Sequence, residues 1–157
     1  MAVAGYPGRT YRFMSEPVLF EFGIGEHYTT FSTELRASDV TVSLSEARRQ
    51  LLKTRSTPHL AVPITMATIT INNTGVRRSD YTALLFLSPP GAGRGGRPIQ
   101  QLRQFKRVAT VPGRASTVNL PLSCHDFALA DEDGSFDIAS GTWTLRVDSS
   151  ELQIHVG

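Results

Sequence analysis

A single cysteine, Cys124, is all that the chain's 157 residues contain, so it forms no internal disulfide and supplies no cysteine metal cluster. Its expected role is that of a small buried side chain, because the sequence places no helix N-terminus or base beside it. No apolar run approaches the roughly eighteen residues of a membrane-spanning helix, so none is expected. The stretch Met1 to Gly8 has no basic region followed by an apolar one and does not read as a signal peptide. Either the chain is cytosolic or it is a piece of a longer secreted chain, and its localisation stays open. The histidines, His27, His59, His125 and His155, lack any paired ligand spacing, so no metal site and no cofactor is expected. Helical periodicity is scarce, no internal repeat is visible, and there is one tryptophan.

What is present is an ordinary soluble composition, 40% hydrophobic and 19% charged, on a chain long enough for a real core. The net charge of +2 hides an asymmetry. Twelve basic residues lie between Arg48 and Arg114, against one acid, Asp80. The C-terminal part carries Asp126, Asp131, Glu132, Asp133 and Asp137. One reading is a polyanion-binding face. The preferred one is mutual neutralisation within one fold, because no aromatics interleave the basic residues as stacking platforms. Neither nucleic acid nor membrane is expected as a partner.

The organising stretch is Thr68 to Ser88. Ile69 and Ile71 alternate with threonines, as in a strand with one face on a core. Asn72 to Gly75 reads as a hairpin turn, with Gly75 free to take positive φ. Tyr81 to Leu87 is almost continuously apolar, which suits a strand covered on both faces. Upstream, Val62, Ile64 and Met66 lie on the opposite parity from Ile69 and Ile71, so a β-bulge is expected near Ala67. His27 to Leu35 and Val40 to Leu44 read as strands, and Ser45 to Lys53 as a short helix with a serine N-cap. Downstream, Gln101 to Thr110, Ser116 to Ser123, Phe136 to Ile138, Trp143 to Val147 and Leu152 to Val156 read as strands. A helical turn is expected at Asp126 to Ala130. About seven to nine strands, with turns roughly every eight to twelve residues, predict an all-β chain. The expected architecture is an antiparallel β-sandwich of fibronectin type III or immunoglobulin-like type over residues 27–157.

Residues 1–26 are different. Glycines and prolines break any periodicity. Yet Tyr6, Tyr11, Phe13, Phe20 and Phe22 crowd into this segment, and large apolar side chains need a surface to cover. The segment is expected to be extended and to dock on this domain or on another.

Few patterns suggest chemistry. Gly91 to Gly96 fits G-x-G-x-x-G, but Pro98 follows and no helix opens there, so it reads as a flexible loop. Asp131 to Gly134 lacks the spacing of a calcium loop and reads as a turn with Gly134 left-handed. Nothing singles out a carboxylate pair at the separation glycoside hydrolysis needs, so no catalytic residue is assigned. Asn72-Asn73-Thr74 is an N-glycosylation sequon, which makes Asn72 a candidate acceptor in an exposed turn.

Several motifs in order resemble the C-terminal fibronectin type III-like domain of family 3 glycoside hydrolases, in particular the β-xylosidase branch. They are Pro7 to Phe13, Phe22 to Phe31, Asn73 to Gly75, Ser79 to Ser88, Leu102 to Val108, Phe127 to Gly134 and Ser140 to Trp143. Departures occur at Glu21, Glu26-His27, Gln104 and Ser140, where the family usually has Pro, Leu-Ser, Gly and Pro. The resemblance implies a non-catalytic module, with nucleophile and acid/base residues in two other domains. It implies that the catalytic domains of the parent glycosidase are the partner, and that the parent acts in xylan catabolism. Carbohydrate is a further candidate ligand in the alternative reading, a free-standing β-sandwich binding module for polysaccharide or another protein. The single tryptophan, at an alternating position expected to be buried, argues against an aromatic sugar platform.

Overall fold

The computed structural model describes residues 8–131 and 133–157. Ten strands are described: β1 (Phe31–Ala37), β2 (Thr41–Val42), β3 (Pro63–Asn73), β4 (Ser79–Ser88), β5 (Gln101–Thr110), β6 (Ala115–Ser123), β7 (Ala128–Ala130), β8 (Phe136–Ile138), β9 (Gly141–Val147) and β10 (Ser150–Val156). Helix α1 (Leu44–Lys53) lies between β2 and β3. One sheet has the order β1-β3-β6 and the other β2-β10-β9-β4-β5, with β7 and β8 as a separate ribbon.

The core forms where the two inner faces meet. From the three-stranded sheet come Ala67, Ile69, Ile71, Val118, Leu120 and Leu122, and from the five-stranded sheet Ala83, Leu85, Leu87, Trp143, Leu145 and Ile154. These residues alternate along their strands because successive side chains of a strand point to opposite faces. The fold is therefore the expected β-sandwich. Trp143 sits inside, 1% exposed, with its Nε1 donating to Ala139 O at 3.0 Å and its ring edge-on to Phe127. Cys124 is fully buried, and burial pushes its thiol pKa up, away from reactivity.

The stretch Thr68 to Ser88 is not a hairpin. β3 pairs with β1 and β6, whereas β4 pairs with β5 and β9. The turn between them is a crossover from one sheet to the other. Periodicity marks which face of each strand is apolar, but it does not identify the strand's partner.

Asn73 organises that crossover from a buried position at the end of β3. Its Nδ2 donates to Arg77 O at 2.8 Å and to Thr110 Oγ1 at 3.3 Å. Its Oδ1 accepts from Thr29 Oγ1 at 2.8 Å and from Gly75 N at 3.2 Å. All four hydrogen-bonding places of the amide are filled, which is the condition for burying it cheaply. Gly75 is required by close approach rather than by positive φ. A Cβ there would lie 2.2 Å from Thr29 Oγ1 and 2.9 Å from Thr30 N.

Further expectations are corrected. β3 keeps one inward parity from Thr65 to Asn73, so there is no bulge at Ala67. Ile64 and Met66 simply face outward, half-buried. The register irregularities fall instead at Pro63/Thr65 and at Leu85/Phe86. The helix N-cap is Ser43, whose hydroxyl accepts from Glu46 N at 3.5 Å, and this leaves only Thr41–Val42 of the expected strand. β1 begins at Phe31, not at His27. A 3-10 turn occupies Cys124–Phe127, ahead of the expected helical turn.

Helix α1 buries Ala47 and Leu51, four residues apart on one face. Arg48 reaches Asp137 with Nε at 2.8 Å and Nη2 at 2.5 Å. This pair joins one residue of the basic stretch to one of the acidic stretch. Gly134 has φ +81°, the left-handed residue expected in its turn.

Candidate docking surface

The N-terminal arm, residues 8–26, is laid on the outer face of the five-stranded sheet. Gly8 has φ +90°, and a Cβ there would stand 2.3 Å from Phe13 O, so only glycine lets the chain turn into Thr10–Phe13. That single helical turn presents Tyr11 and Arg12 to β5 and the loop before it. Leu102 N donates to the Tyr11 hydroxyl at 3.1 Å, and Ile99 N donates to Arg12 O at 2.6 Å.

Tyr11 stacks on Phe22 with ring centroids 4.1 Å apart and planes 11° from parallel. Both rings meet Phe86 of β4 edge-on, at 5.8 Å and 6.2 Å. Phe86 points away from the core, yet it is only 6% exposed. The arm is the second cover expected for Tyr81 to Leu87. Gly23, at φ +87°, continues the contact, since a Cβ there would lie 2.8 Å from Leu84 Cδ1. His27 then packs against Phe31 at 4.9 Å and Tyr81 at 5.7 Å.

A groove of about 590 Å³ runs between arm and sheet, lined among others by Phe22, His27, Tyr81, Phe86, Arg146 and Asp148. The Tyr81 hydroxyl donates to the Asp148 carboxylate. Burial, and after it the Asp148 carboxylate, raise the Tyr81 pKa above the ordinary tyrosine value. Asp148 occupies the two-residue loop between β9 and β10 at φ +49°, a conformation aspartate tolerates better than most residues. The Arg146 guanidinium lies 5.9 Å above the Phe86 ring and donates to Gln100 Oε1.

The other side of the arm is uncovered. Leu19 is 96% exposed, Phe20 84%, Ile24 65% and Tyr28 89%. Phe105 on β5, 69% exposed, lies opposite Leu84 in the register and extends the apolar surface. Single exposed hydrophobics are normal, whereas here four large ones, Leu19, Phe20, Ile24 and Tyr28, fall within residues 19–28.

The expected docking residues thus divide. Tyr11 and Phe22 stack on each other against Phe86 with Phe22 still half exposed, Phe13 is partly exposed beneath the Arg12 guanidinium, Phe20 faces outward, and Tyr6 lies outside the described residues. The sequence reading missed Leu19, Ile24 and Phe105; their signal was large apolar character beside residues already singled out. Asn72 lies inside β3, opposite Ser32 and Ala115, and is half-buried. It is not in an exposed turn. Its neighbour Asn73 carries the turn chemistry.

Comparison with known proteins agrees with this architecture. Residues 81–151 match the fibronectin type III-like domain family. The chain is 37% identical to a probable exo-1,4-β-xylosidase, bxlB, of Aspergillus fumigatus, over 94% of this chain and 19% of that protein. This chain is a fibronectin type III-like domain of the family 3 glycoside hydrolase type. It is also 32% identical to β-D-xylosidase 1 of Arabidopsis thaliana, over 99% of the domain and 21% of that enzyme. Among solved structures, a family 3 exo-β-xylosidase, XlnD, in complex with a xylobiose aziridine activity-based probe superposes with a TM-score of 0.80 at 26% identity. That match covers 96% of this chain and 20% of the enzyme. The chain thus spans about a fifth of the length of the relatives it matches.

Proposed function

We propose that this domain is the non-catalytic C-terminal module of a β-xylosidase-like family 3 glycosidase, and that residues 1–26 dock it on the catalytic domains. Residues 27–157 form the sandwich, and the parent hydrolyses terminal β-D-xylosyl or glucosyl residues in xylan catabolism. The observation that carries the reading is the two-sided arm. Tyr11 and Phe22 fix one side to Phe86, while Leu19, Phe20 and Ile24 present an apolar side to solvent. An arm held in place by Gly8 and Gly23 with its large side chains pointing outward is built to lie between two bodies.

The test uses the domain and the separately produced upstream part of its parent. The domain alone should not hydrolyse an aryl β-xyloside, and adding it should raise the activity or thermal stability of the catalytic part. Phe20→Asp with Leu19→Asp should remove that gain. Hydrolysis by the domain alone, or full complementation by the double variant, would overturn the reading. The alternative of a polysaccharide-binding module has less support, because Trp143, the one tryptophan, is buried. Retardation in xylan-containing gels, insensitive to the arm substitutions, would favour it.

A further inference from the structure

Beside helix α1 lies a second kind of site, a pocket of about 220 Å³ that shares no lining residue with the arm. Leu51, Leu52, Pro58 and Phe136 form apolar walls, and Arg55, Arg103 and His125 are its ionisable groups. Among the described residues, no carboxylate lines it. Arg103 is half-buried on β5. Its Nη2 donates to Ala128 O at 2.9 Å, while its Nε is sealed from solvent without an acceptor among the described residues. Among the described residues no carboxylate comes within 4.0 Å of this guanidinium.

Asp126 is the carboxylate whose charge acts on Arg103, but its oxygens are already engaged. Ser123 N and Oγ donate to it at 2.7 Å and 3.1 Å, and Gln104 Nε2 at 3.4 Å. Burial draws the Arg103 pKa down; the Asp126 charge opposes this, and the nearby Arg12 charge acts with burial. Arginine does not lose its proton in proteins, so the part of the burial cost that Asp126 leaves uncompensated would be relieved by an anion sharing the site. The volume is below the roughly 300–1,000 Å³ of pockets for drug-sized ligands, so the occupant is small.

We infer that this pocket binds an apolar carboxylate: a carboxylate paired with Arg103, on an aliphatic or aromatic body of about one side chain. Such a group is carried either by a free organic acid or by the C-terminal residue of a peptide. Both supply the anion that Arg103 lacks and the apolar surface that Leu51, Leu52 and Phe136 would cover. The site does not depend on the docking arm, so its failure would leave the proposed function untouched.

The experiment is an NMR titration of the full chain with phenylacetate, phenylacetamide, and a short peptide ending in phenylalanine, with its C-terminus free or amidated. Phenylacetate should shift the amides of Leu51, Ala128 and Phe136 saturably, and phenylacetamide should bind at least about tenfold more weakly. A response confined to the free-carboxylate peptide would support the site and place its ligand on a polypeptide. Arg103→Gln should abolish either response. Should that variant fail to fold, Leu52→Glu serves instead: Leu52 is 74% exposed, so a new charge there leaves the fold intact and should repel the acid. Equal binding of acid and amide, or no saturable shift up to about 20 mM of either probe, would overturn the inference, as would unchanged binding to folded Leu52→Glu.

Discussion

Beyond Ile64, Met66 and Pro121 at one end, the outer face of β1-β3-β6 carries Ser32, Glu34, Arg36, Thr68, Thr70, Asn72, Thr117 and Asn119, all short or charged. The outer face of β4 and β5 carries Leu84, Phe86, Leu102 and Phe105. Both sheets bury their inner faces in the same core, so the difference is not required by the sandwich. The polar face ends in water. The apolar face is followed by a second layer, the arm, and then by Leu19 and Phe20 pointing outward. A sheet with one solvated face needs strict alternation, whereas a sheet covered on both sides reads as a continuous apolar run. Thr68 to Asn72 and Tyr81 to Leu87 are those two cases side by side in one chain.

The comparison can be broken by removing matched residues from the two faces. Phe86→Ala should cost about 3 kcal/mol, because a large side chain covered by Tyr11 and Phe22 leaves a cavity. Thr70→Ala on the polar face should cost less than about 0.5 kcal/mol. Equal losses in urea midpoints would show that the arm does not cover Phe86 in solution.

The joint between the sheets offers the next contrast. Asn73→Ala strands partners on Thr29, Gly75, Arg77 and Thr110 and should cost about 2–3 kcal/mol. Asn72→Ala, one residue earlier on the polar face, should stay within about 0.5 kcal/mol. Thermal melts of the two variants check this directly. If Asn72 carries a glycan in a secreted parent, a mass increase lost in Asn72→Gln would show it.

A smaller effect is expected at Gly23. Gly23→Ala combines a positive φ with a contact to Leu84 and should cost about 1–2 kcal/mol. Its signature is release of the arm, read as faster proteolysis between residues 8 and 26 while the sandwich stays protected.

The Tyr81–Asp148 pair gives a pH dependence of definite sign. The folded Tyr81 pKa is raised, so the folded state favours the neutral phenol. Its contribution is fully present below the unfolded tyrosine pKa of about 10 and is lost as pH rises above that value. Tyr81→Phe should remove this alkaline loss of stability, and an unchanged alkaline melt would show that Tyr81 is not its source. The smallest change belongs to Phe20→Ser, 84% exposed in this chain, which should move the domain's own stability by less than about 0.5 kcal/mol.

Much of this was legible from local pattern. Val118, Leu120 and Leu122 alternate inward, as do Trp143, Leu145 and Val147, and each set enters the core as expected. Cys124 and Trp143 are buried where a lone thiol and an alternating tryptophan point. The pairing of β3 and β4 was not legible, because two consecutive strands with a short polar turn look the same whether they pair or cross between sheets. The site was legible only by composition. Five aromatics before residue 23 announce an interaction, but stacking of Tyr11 on Phe22, and exposure of Phe20 between them, depend on Gly8 and Gly23 turning the chain. The Arg103 pocket was invisible, because it assembles α1, β5, β8 and the turn at His125 from distant stretches.

The sequence by itself determined which side chains can be inside, since strand periodicity and apolar character act locally and are read residue by residue. It also determined, through ordered motifs, that this is a fibronectin type III-like domain. The tertiary structure alone decided which strand lies beside which, which face receives the arm, and which guanidinium nitrogen is buried without an acceptor among the described residues. Those outcomes depend on desolvation and hydrogen-bond completion between groups far apart in the chain. Asn73 finding four partners and Arg103 missing one are results of the whole fold.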